Sequence, residues 1–141
     1  MSISDNNCLT MASVFTKIIN REIPGYIVAE DDSFIAFLDI NPLAKGHTLI
    51  VSKKEIDYFF DLEEDVLAAM MVFSKRVALA IKKVTHCKRV GVAVIGFEVP
   101  HVHLHLVPMN SMTDINFANP KLKLSKEEFL EMTHHLQAAI K

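Results

Sequence analysis

The stretch His101-Val102-His103-Leu104-His105-Leu106-Val107-Pro108 decides how this chain is read. Histidine falls at every second residue, with Val102, Leu104 and Leu106 between. Side chains of an extended strand alternate faces with period two. The spacing therefore predicts a strand with three imidazoles in a row on one face and three aliphatic side chains entering a core on the other. Pro108 has no amide hydrogen to donate, which makes it the expected end of that strand. Alternation by itself is what any half-buried strand shows, and serine, threonine, lysine or glutamate would satisfy it. A row of groups that titrate near neutrality points instead to chemistry.

Around this strand lie 141 residues, a length that suits one domain, expected over 13–141 behind a flexible N-terminal arm at 1–12. Half of the residues are hydrophobic, enough for a core. The net charge of −2 offers no basic surface for nucleic acid. Cys8 and Cys87 are too few and too far apart for a disulfide framework or a cysteine metal site. No run of about eighteen apolar residues exists to span a membrane, and the start Met1-Ser2-Ile3-Ser4-Asp5 lacks a signal-peptide pattern. A cytoplasmic protein with neither membrane nor nucleic-acid partner is expected.

Val14-Phe15-Thr16-Lys17-Ile18-Ile19 has apolar residues one helical turn apart and predicts a short helical turn. Tyr26–Ala29 and Phe34–Leu38, separated by Glu30-Asp31-Asp32-Ser33, read as a hairpin. Asn41-Pro42 breaks its second strand, and Lys45-Gly46 launches a third at 47–52. From Asp61 to Val84, Val66, Met70, Phe73, Val77, Ile81 and Val84 recur at intervals of three and four, one stripe of a long helix. Asp61 is the expected cap, with Glu64 in the capping-box position. The wide uncharged face from Ala68 to Ile81 suits cover by the sheet alone or by a partner as well. Residues 90–95 are almost continuously apolar and predict a strand buried on both faces. After Pro108 a polar, exposed stretch is expected, then a helix over 125–140 capped by Ser125 with Glu128. The sum is an α+β domain: an antiparallel sheet of about five strands, one long central helix and a C-terminal helix.

Two chemistries suit alternating histidines. Three neutral imidazoles are good zinc ligands, but same-face residues two apart on a strand lie nearly 7 Å apart, whereas ligands sit about 2 Å from the ion. Chelation by all three from one straight strand is strained. The alternative is nucleophilic catalysis, in which an imidazole nitrogen attacks phosphorus and water hydrolyses the phosphoramidate-type intermediate. Neighbouring imidazoles would hold the tautomer, stabilise charge or protonate the leaving group. No glycine-rich phosphate loop, serine elbow or HExxH motif competes for the assignment.

The strand resembles the signature of the histidine-triad (HIT) family of nucleotide hydrolases and transferases, in its Hint-like branch. The resemblance extends over residues 13–108, through Phe15-Thr16-Lys17-Ile18-Ile19 with Glu22-Ile23-Pro24, Ala36-Phe37-Leu38-Asp39-Ile40-Asn41-Pro42, and Gly46-His47-Thr48-Leu49-Ile50-Val51. It implies a HIT-like fold and a homodimer paired through the long helix and the strand before the triad. It also implies a nucleophile at His103, flanked by His101 and His105, with His47 as a fourth histidine of the site. Asp39 would accept hydrogen bonds from ribose hydroxyls, and Val14, Phe15, Ile18, Phe37 and Ile40 would wall a purine pocket. The implied activity is hydrolysis of nucleoside 5′-phosphoramidates or related AMP conjugates through a nucleotidyl-histidine. Dinucleoside polyphosphate hydrolysis, and nucleotide binding with weak activity, are the alternatives.

Three departures qualify the match. Zinc-bearing members carry Cys-x-x-Cys and a histidine where this chain has Ser13, Thr16 and Glu55, so no structural zinc and no cofactor are expected. The polar, glycine-bearing loop before the triad is replaced by Val92-Ala93-Val94-Ile95-Gly96, and the usual glutamine after Gly96 is Phe97. Loss of one such donor costs about 3 kcal/mol of transition-state stabilisation. The backbone from Gly96 and Phe97 through Glu98 and Val99 remains to contact phosphate.

Overall fold

A computed structural model describes residues 12–141. The arm expected at 1–12 lies, except for Ala12, outside the described residues. Helix α1 spans Val14–Ile19. Strands β1 (Ile27–Glu30), β2 (Phe34–Leu38) and β3 (Thr48–Ser52) follow. The long helix α2 covers Glu64–Thr85, β4 Arg89–Ala93, β5 His103–Met109, and helix α3 Lys126–Ala139. The five strands form one antiparallel sheet in the order β1-β2-β3-β5-β4.

Period-two alternation separates the two faces of the sheet. Phe34, Ala36, Leu38, Ile50, Val102, Leu104 and Leu106 pack with Met70, Phe73, Val77 and Ile81 of α2 and with Phe129 and Leu136 of α3. Burial of these side chains, each worth about 1.5–3 kcal/mol, holds the helices to the sheet. On the opposite face Ile35, Phe37, Leu49 and Val51 meet Phe15 and Ile18 of α1. Leu49 is paired with His105 and Val51 with His103, so the histidines extend this second row onto the next strand. Gly46, at φ +98°, makes the turn that feeds His47 into β3, where a Cβ would press on the Thr85 side chain at 3.0 Å.

Four local expectations are corrected. Helix α2 starts at Glu64 with Glu63 as an N-cap that makes no side-chain bond. Asp61 closes a 3₁₀ turn, Phe59–Asp61, because Leu62 is drawn into the core before the helix begins. The strand before the triad is not buried on both faces. Since β5 inserts between β3 and β4, β4 is an edge strand, and Val92 is 49% exposed. The histidine strand runs through Pro108 to Met109. Met109 O accepts from Lys88 N–H on the β4 side, so the Pro108 nitrogen faces the other way, past the end of β3 at Thr48 opposite Leu106. The stretch after Pro108 is not merely exposed polar chain: it forms a 3₁₀ turn, Met112–Ile115, and returns to the histidine face through Phe117. Ser125 and Glu128 cap α3 reciprocally, as their spacing predicts.

Candidate functional site

Every ring nitrogen of the buried histidines can be assigned by asking what faces it. A carbonyl oxygen only accepts, and a backbone amide only donates. His103 Nδ1 lies 2.7 Å from His101 O, so Nδ1 carries the hydrogen, and in the neutral ring Nε2 keeps a lone pair. Leu43 N–H donates to His47 Nδ1 at 3.0 Å, which puts the hydrogen of His47 on Nε2. That nitrogen lies 3.0 Å from His105 Nδ1, so His47 donates and His105 presents an Nε2–H. His101 donates from Nε2 to Ser52 O at 2.6 Å and accepts at Nδ1 from Ser13 Oγ, also at 2.6 Å.

The chemical consequence is an ordered pair. A lone pair on His103 and an N–H on His105 sit on adjacent same-face positions, with ring centroids 5.1 Å apart. Burial pushes His47 down to about 3, helped by the nearby His105 and Lys121, and pushes His105 down to about 4. Burial lowers His101 as well, against the favourable bond to Ser52 O. These three rings are therefore neutral at pH 7, as the tautomer chain requires. Asp39 Oδ2, 3.6 Å from His47 Nε2, is thus a dipolar neighbour and not an ion-pair partner. Burial raises the Asp39 carboxyl, partly offset by the bond from Asn41 N–H to Oδ1.

Of the residues expected in the site, one cavity brings together Val14, Phe15, Ile18, Phe37, Asp39, Ile40, Glu98, Val99, His103 and His105. Its floor is built by Phe15, whose ring meets His103 edge-on at 4.9 Å and Phe37 at 5.5 Å. A second, adjoining cavity is lined by His47, His103, His105, Asp39, Gly96, Phe97 and Glu98. The Phe97 side chain is 93% exposed, so only its backbone is held near the histidines. His101 lines neither cavity. Fully buried, it acts on His103 through its carbonyl. Two residues escaped the sequence reading. Phe117 lies edge-on to His105 at 4.7 Å, and Lys121 lines the second cavity. The only signal for either was an isolated aromatic and a lysine in a polar stretch.

Two groupings bear on metals. Ser13, Thr16, Glu55 and His101 do converge, with Glu55 Oε1 accepting from Ser13 N–H and Thr16 Oγ1–H at 2.7 Å each. Two hydroxyls and one carboxylate are a poor set for tetrahedral zinc, which takes thiolate, imidazole or carboxylate. His101 Nδ1 is already engaged by Ser13. The residues instead form a hydrogen-bonded clip from α1 to the triad. Asp39, His47 and His105 each place one ligand atom within 4.8 Å of the others, the one such grouping among the described residues. Three of its four ring nitrogens, both of His47 and Nδ1 of His105, are already engaged in hydrogen bonds.

A HIT domain family model matches residues 20–112. The chain belongs to the histidine-triad family. An uncharacterised HIT-like protein of Borreliella burgdorferi is 33% identical over 135 residues, covering 90% of this chain and 97% of that one. An adenosine 5′-monophosphoramidase of Saccharomyces cerevisiae is 40% identical over 101 residues, 71% of this chain and 64% of the relative. Among solved structures, a HIT-like protein of Bartonella henselae aligns with a TM-score of 0.78 at 29% identity, over 91% of this chain and 96% of that one. The α+β fold is thus a HIT fold, and among the described residues no helix is long and apolar enough to cross a membrane.

The lowered histidines set the acid response. A ring whose folded value lies below its ordinary 6.5 takes up its proton more readily when unfolded. Stability therefore falls as pH drops from about 6.5 toward 4, by about 1.4 kcal/mol per pH unit for each such proton. His47→Gln removes one of these protons. Its urea midpoint is expected to fall less than that of the wild type between pH 6.5 and 4.5, and parallel curves would contradict the assignment.

Proposed function

We propose that this HIT protein hydrolyses nucleoside 5′-phosphoramidates or related AMP conjugates through a nucleotidyl-histidine at His103. The observation that carries the reading is the bond from His103 Nδ1 to His101 O, which leaves Nε2 as the free lone pair at the junction of the two cavities. Supporting it, a relative at 40% identity bears the name adenosine 5′-monophosphoramidase.

The apolar cavity over Phe15, Ile18, Phe37 and Ile40 takes the purine, and Asp39 at its rim accepts the ribose hydroxyls. The α-phosphate then lies between His103 and His105. His103 Nε2 attacks phosphorus, the P–N or P–O bond to the leaving group breaks, and His105 Nε2–H supplies the leaving group's proton. The hydrogen bond from His47 Nε2–H to His105 Nδ1 stays in place and steadies the His105 ring while its Nε2 proton is on the leaving group, until water returns that proton. As positive charge builds on His103, its Nδ1–H keeps the His101 carbonyl as partner. Water, deprotonated by His105, cleaves the intermediate to AMP and restores both rings. Amides of Gly96 to Val99 donate to no backbone carbonyl among the described residues and serve the phosphate oxygens in place of the missing polar loop and glutamine.

His103→Ala is expected to abolish turnover of an AMP–amine conjugate while AMP still binds. The acid-labile AMP adduct trapped from the wild type should map to the peptide holding His103. Equal rates for the two proteins would refute the mechanism.

The working unit is proposed to be a homodimer, with the partner on β4 and α2. Val92, Val94 and Ile95 on this edge are exposed, as are Met71, Val72 and Leu79 on α2, an apolar surface continuous with an open strand. Light scattering should give twice the 15.9 kDa of one chain, and Val92→Asp should shift it toward a single chain. A monomeric wild type would overturn the assembly.

A further inference from the structure

The second cavity has an electrostatic imbalance. Besides the histidines, its charged lining is Asp39, Glu98 and Lys121. With His47 and His105 held neutral, Lys121 is the one lysine or arginine on this wall, beside two carboxylates. An anionic ligand entering here meets net negative charge unless that ammonium faces it.

The segment that carries Lys121 is built to stay put. Leu122 N–H donates to Pro42 O at 2.8 Å, tying the segment to the turn between β2 and β3. Asn119 Nδ2 donates to Thr113 O at 2.8 Å, and Ala118 N–H to Asn116 Oδ1 at 2.9 Å. Phe117 wedges edge-on against His105 at 4.7 Å and His47 at 6.2 Å. Lys121 Nζ rests on carbonyls of its own loop, Phe117 O and Asn119 O at 3.2 Å, with the Phe117 ring centroid 6.0 Å away. Its stem is long and exposed, so the ammonium can leave these carbonyls for a stronger acceptor at little cost. Its charge already bears on the site, opposing protonation of His47 and favouring the ionised form of Asp39.

We infer that Lys121 is the phosphate-binding cation of this site, delivered by the Phe117–Lys121 loop from outside the triad strand. This rests on the nucleotide reading above and deepens it. The lysine binds the nonbridging oxygens of the nucleotide's phosphate opposite the backbone of Gly96 to Val99. It offsets the amide donors that Val92–Phe97 lacks. The loop thereby selects nucleotides over nucleosides, since only the former carry the charge it answers.

The test is calorimetric, on full-length protein, with AMP and adenosine as probes. Lys121→Met should weaken AMP binding about tenfold and leave adenosine unchanged, with Lys121→Arg close to wild type for both. Rising salt should weaken AMP binding by the wild type more than by Lys121→Met. AMP affinity unaltered in Lys121→Met would overturn the inference. So would an equal loss for AMP and adenosine, which marks a merely structural loop. A wild type that binds neither probe would instead overturn the nucleotide reading, and this inference with it.

Discussion

The hydrogen bond from His103 Nδ1–H to the carbonyl of His101 is the constraint on which the rest depends. An isolated imidazole exchanges between two tautomers, and a nucleophile needs one of them. Here the choice is made by backbone geometry: the acceptor is a peptide oxygen two residues away on the same chain, which can do nothing but accept. That oxygen is itself fixed because His101 is held from both sides, by Ser52 O across the sheet and Ser13 from α1. The clip of Ser13, Thr16 and Glu55 thus reaches the His103 ring through the main chain.

A second chain of bonds fixes the neighbouring ring with opposite polarity. It starts at Leu43 N–H, passes through His47 and ends at an outward Nε2–H on His105. The two chains share no atom, yet they place a lone pair and a hydrogen side by side. Burial keeps the second chain neutral, and so does its bonding: protonating His47 would set an Nδ1–H against Leu43 N–H, and protonating His105 would leave two hydrogens facing each other at the His47–His105 contact. The histidine row is therefore not three equivalent imidazoles but a buried support, a ring with a free lone pair and a ring with an outward N–H.

Much of this was legible in the sequence, and the exceptions have physical causes. Period-two alternation placed Val102, Leu104 and Leu106 against α2 and His103 and His105 on the far face, because one buried face enforces register. Family resemblance brought Asp39 and His47 to the same place, since Asp39 N–H bonds to His47 O where β2 leads into β3, the neighbour of the histidine strand. What was not legible depended on neighbours far along the chain. The inward pull of Leu62 displaced the start of α2 from Asp61. An apolar run at 90–95 cannot say whether its neighbours are strands of one chain or of two, and β5 inserted on only one side. Phe117 and Lys121 return to the site through a loop whose course is set by Pro42 and Thr113, and no periodicity marks such a return.

The tautomers themselves are the most direct test of this account. Long-range nitrogen–proton NMR spectra of the uniformly ¹⁵N-labelled protein at pH 7 distinguish the protonated from the bare nitrogen of each ring. His103 is predicted as the Nδ1–H form, with His47, His101 and His105 all as Nε2–H forms. A His103 ring that carries its hydrogen on Nε2 would contradict the account, since the nitrogen assigned to attack phosphorus would have no lone pair to use.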